Sequence, residues 1–271
     1  MRRVIWTYWE NPPDQDGLPP HIQLCRRALE RICSSCAVEI VTPDNVRNFL
    51  PDLPEKVSQI TRAGEPNRPC LPIKCTFIRA FLIERYGGIY VDADNIVLRD
   101  LGKLFGILNH REFMCMRRTS LGRAHVSIGF YGARVGSQIM AEYAALLRSM
   151  LRERTALKWG EAGAHALTPI VDKHSASVHF FPEAEVQPIV AEQQNVLADE
   201  EDPMLFAQIM QANPIIITLY HRLFNKTGPL TGWSIDKLQT SNALVSKAFR
   251  HALATLAPPP ASTDGATEVR G

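Results

Sequence analysis

The apolar positions fall into short blocks whose spacing switches between strand and helix. Val4-Ile5-Trp6-Thr7-Tyr8-Trp9 is a β-branched and aromatic run closed by Asn11-Pro12-Pro13, and it predicts a buried strand near the N-terminus. After Pro19-Pro20, the residues Ile22, Cys25, Leu29 and Ile32 recur at helical intervals, and Ala37 to Val41 reads as a second strand stopped by Thr42-Pro43. This is a β-α-β unit. Residues 44–70 are rich in Pro, Asn, Asp and Gly and predict an irregular connection with a helical turn or two. Ile73 to Tyr86 is strongly helical, with Phe77 and Phe81, and Ile78 and Leu82, on adjoining stripes, and Gly87-Gly88 ends the pattern as a helix cap and strand entry. Ile89-Tyr90-Val91 is a third strand that runs straight into Asp92-Ala93-Asp94-Asn95.

Further strands are expected at Phe113 to Met116, Ser127 to Tyr131, Val178 to Phe181 and Ile215 to Tyr220, with helices at 136–152, 164–173, 203–212 and 235–256. Such alternation predicts an α/β fold with a mostly parallel central sheet flanked by helices. No internal repeat and no interdomain linker is visible, so residues 1–256 are expected to form a single domain. Residues 257–271, rich in Pro, Ala, Ser and Thr, are expected to be a disordered tail.

Composition narrows the class. The 271 residues are 45% hydrophobic and 21% charged, as in an ordinary globular domain. Thirty basic against 28 acidic side chains leave a formal charge of +2, too little for a nucleic-acid binder, whose affinity comes largely from neutralising phosphates. The apolar run after Arg2-Arg3 is too short for a signal-peptide core, and no stretch is long and apolar enough to span a membrane. A cytoplasmic protein is expected, with peripheral membrane contact through Arg2, Arg3, Lys237, Lys247 and Arg250 as a further expectation. The six cysteines lack the spacing of a secreted disulfide framework. Cys33-Ser34-Ser35-Cys36 has no second CxxC pair to complete a zinc site, and buried thiols near a helix end are the simpler reading.

The chemistry concentrates at Asp92 and Asp94. The two share one face of an extended segment at the carboxyl end of a buried strand, the edge where open α/β sheets place ligands. Two ionised carboxylates this close repel each other in a partly buried crevice unless a cation or a shared proton compensates. A hard divalent ion such as Mg²⁺ or Mn²⁺, bridging to phosphate oxygens, is the natural compensator. An Asp pair that merely closes a turn with Asn95 is the competing reading, and the apolar strand, double glycine and preceding helix weigh against it.

The block from Lys74-Cys75-Thr76-Phe77-Ile78-Arg79 through Tyr86-Gly87-Gly88-Ile89-Tyr90-Val91-Asp92-Ala93-Asp94 resembles the DxD-containing sugar transferases, which include bacterial capsular-polysaccharide enzymes and the Och-type mannosyltransferases. The opening strand and the helix after Pro19-Pro20 also look like the start of that family, whereas the rest of the chain matches loosely. The resemblance implies a Rossmann-like GT-A fold and a metal-dependent, retaining glycosyltransferase. The donor would be a nucleoside-diphosphate sugar, with UDP favoured, and the acceptor a hydroxyl of a glycan or lipid-linked sugar. It implies Mn²⁺ or Mg²⁺ held by Asp92 and Asp94, with Asp94 the more direct ligand, acting as a Lewis acid on the leaving diphosphate. One departure stands out, since relatives often carry Ser-Asp where this chain has Cys75-Thr76, which removes a charge near the base and ribose.

Other site residues follow from the same resemblance. Thr7, Tyr8 and Trp9 at the end of the first strand are expected to face the base, and Tyr90 and Ala93 to line the nucleotide-sugar site beside the acidic pair. Thr76 and Arg79 share a helical face, where the Arg79 fork is expected to reach a phosphate or hold a carboxylate of the DxD turn. Lys74 is a softer candidate for the phosphate or sugar. Late in the chain, His221 is expected as a third metal ligand, Lys226 on the diphosphate, and Trp233-Ser234 in a closing lid. Ser127-Ile128-Gly129 corresponds to a strand lining the donor sugar, and residues 160–168 stand where relatives carry a Gly-Pro segment near the acceptor. No carboxylate is assignable as a covalent nucleophile, which favours front-face displacement over a double-displacement route. A haloacid-dehalogenase-type phosphatase fits poorly, because its DxD strand normally lies near the N-terminus. A non-catalytic nucleotide-sugar or glycan-binding module is the other alternative.

Overall fold

The computed structural model describes residues 3–13, 15–120, 123–202 and 204–254; the tail expected over 257–271 lies outside them. The main strands are β1 (Val4–Tyr8), β2 (Ala37–Val41), β3 (Gly88–Val91), β4 (Asn95–Val97), β5 (Phe113–Ser120), β6 (Arg123–Ala133), β7 (Val178–Phe181) and β8 (Ile216–Thr218). The main helices are α1 (Pro20–Ile32), α2 (Leu71–Tyr86), α3 (Gln138–Glu153), α4 (Ala164–Lys173), α5 (Ile235–Thr240) and α6 (Leu244–Ala254). Six strands form one sheet in the order β7-β5-β6-β3-β1-β2. Parallel pairing joins β2, β1 and β3 and also β5 and β7, while β6 runs antiparallel between β3 and β5. The mostly parallel sheet is the expected one.

The strand alternation splits the core into two layers, one on each face of the sheet. Val4, Trp6 and Tyr8 of β1 and Tyr90 of β3 point to the layer roofed by α2, α3 and α4. Ile5, Ile89 and Val91 point to the layer under α1 and α6, which also holds β4 and β8. A strand buried on both faces has no polar alternation to show, which is why β1 reads as a continuous apolar run. Gly87 and Gly88 serve structure, as expected. Gly87 caps α2, its amide donating to Ile83 O at 2.9 Å. Gly88 has φ +104°, and a Cβ there would lie 2.4 Å from Val4 O, so only glycine lets β3 enter the sheet beside β1.

Three departures from the expected elements affect the site. Residues 61–69, read as irregular, form a hairpin of Thr61–Arg62 and Glu65–Pro69, joined by Ala156–Leu157 in a small separate sheet. The strand expected over 215–220 is the shorter β8, and it pairs antiparallel with β4 immediately after the acidic turn. The helix expected over 235–256 is broken between α5 and α6, because Ser241 leaves helical geometry and its hydroxyl instead meets Ser246 Oγ at 2.8 Å. Among the described residues no helix is long and apolar enough to cross a membrane. The six cysteines are free thiols, and burial pushes the Cys33 thiol up to about 12, so the CxxC segment supplies no reactive pair.

Candidate active site

The acidic turn sits where β3 leaves the sheet, and backbone hydrogen bonds fix both of its ends. The Asp92 amide donates to Gly129 O of β6 at 2.8 Å, and the Leu219 amide donates to Asp94 O at 2.8 Å just beyond β8. Between them Asn95 closes the turn, its Nδ2 donating to Asp92 O at 3.0 Å and its Oδ1 accepting from the Thr218 hydroxyl at 2.7 Å. The turn-closing role read for Asn95 is therefore present. It holds the carboxylates in place without using them.

The two carboxylates have different surroundings. Arg79 projects from α2 with its side chain 6% exposed, and its Nη1 lies 2.9 Å from Asp92 Oδ1. The same nitrogen donates to Ile128 O at 2.6 Å, while Nη2 contacts Cys75 Sγ at 3.3 Å. The guanidinium carbon lies 5.0 Å from the centroid of the Tyr90 ring. Opposite, Gly129 leaves room for the carboxylate, since a Cβ there would lie 2.7 Å from Asp92 Oδ2. The structure thus realises one of the two roles expected for Arg79, that of holding an acidic side chain of the turn. Among the described residues no side chain pairs with the Asp94 carboxylate. Burial, and then the charge of Asp92, push the Asp94 carboxyl up to about 7. Thr7, 1% exposed at the end of β1, has a hydroxyl with no hydrogen-bond partner.

These observations bear on a divalent metal. A partly buried carboxylate without a cation, next to a second one, is a donor set of hard oxygens that fits Mg²⁺ or Mn²⁺. Asp94 is the available ligand, with Asp92 already committed on one oxygen to Arg79. The expected third ligand is not gathered with them, because among the described residues no three His, Cys, Asp or Glu side chains form a metal-holding group. His221 is exposed and begins, two residues past Leu219, a single-turn helix whose third residue, Leu223, is buried. It adjoins His21 of α1, whose pKa is lowered to about 4 by burial and by the charge of His221; His21 itself stacks on Phe224 with centroids 3.7 Å apart.

The other expected residues divide into rim and interior. At the end of β1 the buried Tyr8 reaches the half-buried Glu10 and Lys74, its hydroxyl donating to Glu10 at 2.6 Å and Lys74 Nζ lying 2.6 Å from the same carboxylate. Trp9 Nε1 donates to Asn11 at 2.6 Å. Lys74 is thereby neutralised by Glu10, a partner the sequence reading did not assign. Thr76 and Tyr90, both expected to contact the nucleotide, are turned inward. Thr76 is 4% exposed and its hydroxyl donates back to Pro72 O at 3.1 Å; Tyr90 is fully buried, with its hydroxyl 3.2 Å from Cys75 Sγ. Ala93 is buried at the turn. Lys226 is exposed on the loop after His221. Ser234 caps α5 by accepting from the Lys237 amide at 3.2 Å, and Lys237 Nζ lies 4.3 Å from the Trp233 ring centroid. That segment is pinned by the buried Leu230, whose amide donates to Leu223 O at 2.9 Å. Cys75, Ile128 and Gly129 complete the support; all three lie on segments singled out from the sequence, and for none of them was this bracing of Arg79 and Asp92 expected.

The chain is similar to several solved glycosyltransferases. The chain is similar to GlyE of Streptococcus pneumoniae TIGR4, with 14% identity and a TM-score of 0.50 over 93% of this chain and 60% of that one. The bifunctional glycosyltransferase WbbM matches at 14% identity and a TM-score of 0.49, over 93% of this chain and 50% of that one. The galactosyltransferase LgtC, solved with donor and acceptor sugar analogs, matches at 12% identity and a TM-score of 0.45, over 95% and 98% of the two chains. This chain thus spans about three fifths of the length of GlyE and half that of WbbM. At such identities the likeness establishes the fold, which is of the GT-A type. No curated protein matches the sequence. The model of the capsular polysaccharide synthesis protein family matches residues 1–157, more than half of the 271-residue chain, and the protein belongs to that family.

Proposed function

We propose that the protein is a metal-dependent, retaining glycosyltransferase that moves a sugar from a nucleoside-diphosphate sugar, a UDP-sugar first among them, to a hydroxyl of a glycan or glycolipid. One observation carries the reading. At the carboxyl edge of the sheet, Arg79 clamps Asp92 while Asp94 is left without a side-chain partner, so the turn is built to receive a cation together with an anionic ligand. A bound Mn²⁺ or Mg²⁺ supplies Lewis-acid stabilisation of the departing diphosphate. Asp94, with the free oxygen of Asp92, would hold it, and His221 would join only by moving toward Asp94.

The chain's own residues set up the rest. Arg79 fixes the Asp92 rotamer and keeps the acidic turn against β6. The unpaired Thr7 hydroxyl, Tyr8 and Trp9 lie at the end of β1, where the base and ribose would bind. Lys226, Trp233 and Ser234 flank the pinned Leu230 and are proposed to cover the diphosphate from that fixed position. In the front-face route, the bond from the anomeric carbon to the diphosphate oxygen breaks as the acceptor oxygen bonds to the same face, and the acceptor proton passes to the leaving phosphate. Six free thiols suit a reducing compartment. The proposal accordingly places the protein in the cytoplasm, with residues 1–256 as one catalytic domain and basic residues touching the membrane face. The test is turnover of a panel of UDP- and GDP-sugars with Mn²⁺, Mg²⁺ or chelator, with NMR of the product anomer. Release of nucleotide that needs metal and survives in neither Asp92→Asn nor Asp94→Asn is expected; metal-independent turnover, or an inverted anomer, refutes the corresponding part.

A further inference from the structure

Arg118 is a half-buried guanidinium with nothing to hold. Its Nε is shut off from solvent without a hydrogen-bond partner, and among the described residues the side chain makes no hydrogen bond and no ion pair. The neighbouring Arg117 is engaged, paired with Asp172 of α4 and lying 4.6 Å from the Phe180 ring centroid. Arg26 of α1 also has an unpartnered Nε, but the charge of Glu30, one turn on, supports it. A guanidinium carries five donors and cannot shed its charge, so drawing it out of water without an anion is costly. Arg118 is held ready for a partner that the protein does not supply.

Strand register turns Arg118 toward the crevice of the acidic pair. β5 and β6 run on past the point where the Asp92 amide meets Gly129 O, with Arg117 opposite Val126 and Arg118 opposite His125. Val126 is buried in the layer roofed by α2, α3 and α4, and Arg117 points the same way, toward α4. Alternation along the strand sends Arg118 to the other face, the one that holds β4 and β8. Tyr220, just after β8, lies within reach of both sites: burial raises its pKa to about 12, and the charges of Arg118 and Asp94 both act on its hydroxyl, in opposite senses. That hydroxyl is already committed, accepting from Gln187 at 2.7 Å and donating to Ile189 O at 2.8 Å.

Strand order sets which part of a substrate Arg118 would meet. From β1, whose end is proposed to take the base, the sheet continues with β3 and its acidic turn, then β6, then β5. Neighbouring strands lie about 4.8 Å apart, so β5 stands roughly 10 Å beyond the acidic turn on the side away from β1. A nucleoside-diphosphate sugar laid with its base at β1 and its diphosphate at Asp94 extends its sugar toward β6 and β5. We propose that Arg118 binds a carboxylate or phosphate carried by a sugar, and so selects an acidic sugar substrate. Its planar fork matches two oxygens of either group. This rests on the transferase reading above and adds the charge class of the sugar, which either the donor or the acceptor can bring.

The test uses the full chain with Arg118→Gln and Arg118→Lys. Calorimetry with Mn²⁺ compares UDP, UDP-glucose and UDP-glucuronate, and an array compares uronate- or phosphate-bearing oligosaccharides with neutral ones of the same backbone. The wild type is expected to prefer the acidic member of one set by about tenfold or more. Arg118→Gln should lose that preference, Arg118→Lys should keep part of it, and both should bind UDP and melt as the wild type does. Preference among the nucleotide sugars makes the donor the acidic partner; preference on the array makes it the acceptor. The assignment is overturned, with the transferase reading intact, if the wild type binds UDP but favours neither acidic set, or if Arg118→Gln keeps the preference. It is overturned too if Arg118→Gln loses UDP itself, which would put Arg118 on the diphosphate, or if its melting temperature drops clearly, which would reveal a partner inside the protein. Acidic-glycan binding that depends on Arg118 in a protein that ignores UDP supports the site and removes the nucleotide-sugar reading instead.

Discussion

Replacing Asp94 by Asn separates what the acidic turn does for stability from what it does for chemistry. The folded protein keeps the Asp94 proton up to about 7, whereas an unfolded chain releases it near 3.8. Between those values the folded state binds more protons, so its stability falls as pH rises from the lower to the higher value and stays low above it. The full difference corresponds to roughly 4 kcal/mol at about 1.36 kcal/mol per pH unit. Because the Asp94 side chain retains partial solvent contact, we take about half, ~2 kcal/mol, as the expected effect. Asn cannot ionise and escapes the penalty. Asp94→Asn should therefore melt about 4–8 °C higher than the wild type at pH 8 in the absence of metal, and no higher at pH 4. Millimolar Mn²⁺ should raise the wild-type melting temperature at pH 8 and leave the variant unmoved, while sugar transfer by the variant drops by several orders of magnitude. Differential scanning calorimetry across pH 4–8 reads all but the last. A gain equal at both ends of the range, or a loss at pH 8, refutes the assignment of an uncompensated carboxylate.

Other perturbations test the supports around that turn. Arg79→Ala removes the buried partner of Asp92 and should lower the urea-unfolding free energy by about 3–5 kcal/mol; Arg79→Lys should recover part of that stability without restoring donor KM, and a normal KM in Arg79→Lys counts against the fork geometry. Gly129→Ala places a methyl 2.7 Å from Asp92 Oδ2, so a stability loss of about 1–3 kcal/mol should accompany a tenfold rise in donor KM, and an unchanged KM would show that the Asp92 rotamer is dispensable. Thr7→Val deletes a buried hydroxyl that has no partner; urea unfolding should show a gain of about 1 kcal/mol together with weaker nucleotide binding, and a stability loss would reveal a partner for the hydroxyl. Gly88→Ala, whose methyl meets Val4 O at 2.4 Å, should give insoluble protein on expression, and a soluble variant with wild-type melting refutes the close approach.

Where each side chain's environment is set by its near neighbours in sequence, the reading from residues succeeds. The run into Asp92 and Asp94, the cap at Gly87 and all six strands of the main sheet announce themselves through local apolar spacing and breakers. Arg79 was also legible, because a cation among Phe77, Ile78, Phe81 and Leu82 has few places to go except toward a buried carboxylate. What escaped was set at a distance. The three-residue β4 is visible only once β8 pairs with it from far along the chain, and the hairpin over 61–69 is exposed on every residue of its longer strand, leaving no apolar alternation to detect. Thr76 and Tyr90 enter the expected nucleotide site through the family resemblance, which does not set where this chain's own side chains point. Their orientation follows instead from Pro72 O and Cys75, which capture the two hydroxyls on the inner side. The neutralisation of Lys74 by Glu10 joins two segments that no local rule connects.

The pairing of β4 with β8 has a temporal consequence. The stretch that carries the family signature ends at residue 157, yet the strand that braces the acidic turn is Ile216–Thr218. During synthesis β4 leaves the ribosome well before its partner exists, presenting Ile96 and Val97 on an open strand edge. A fragment cut at the family boundary would keep every residue of the motif and lack the Leu219 amide that ties down Asp94. The acidic turn is thus finished late, by a part of the chain outside the stretch the family model matches.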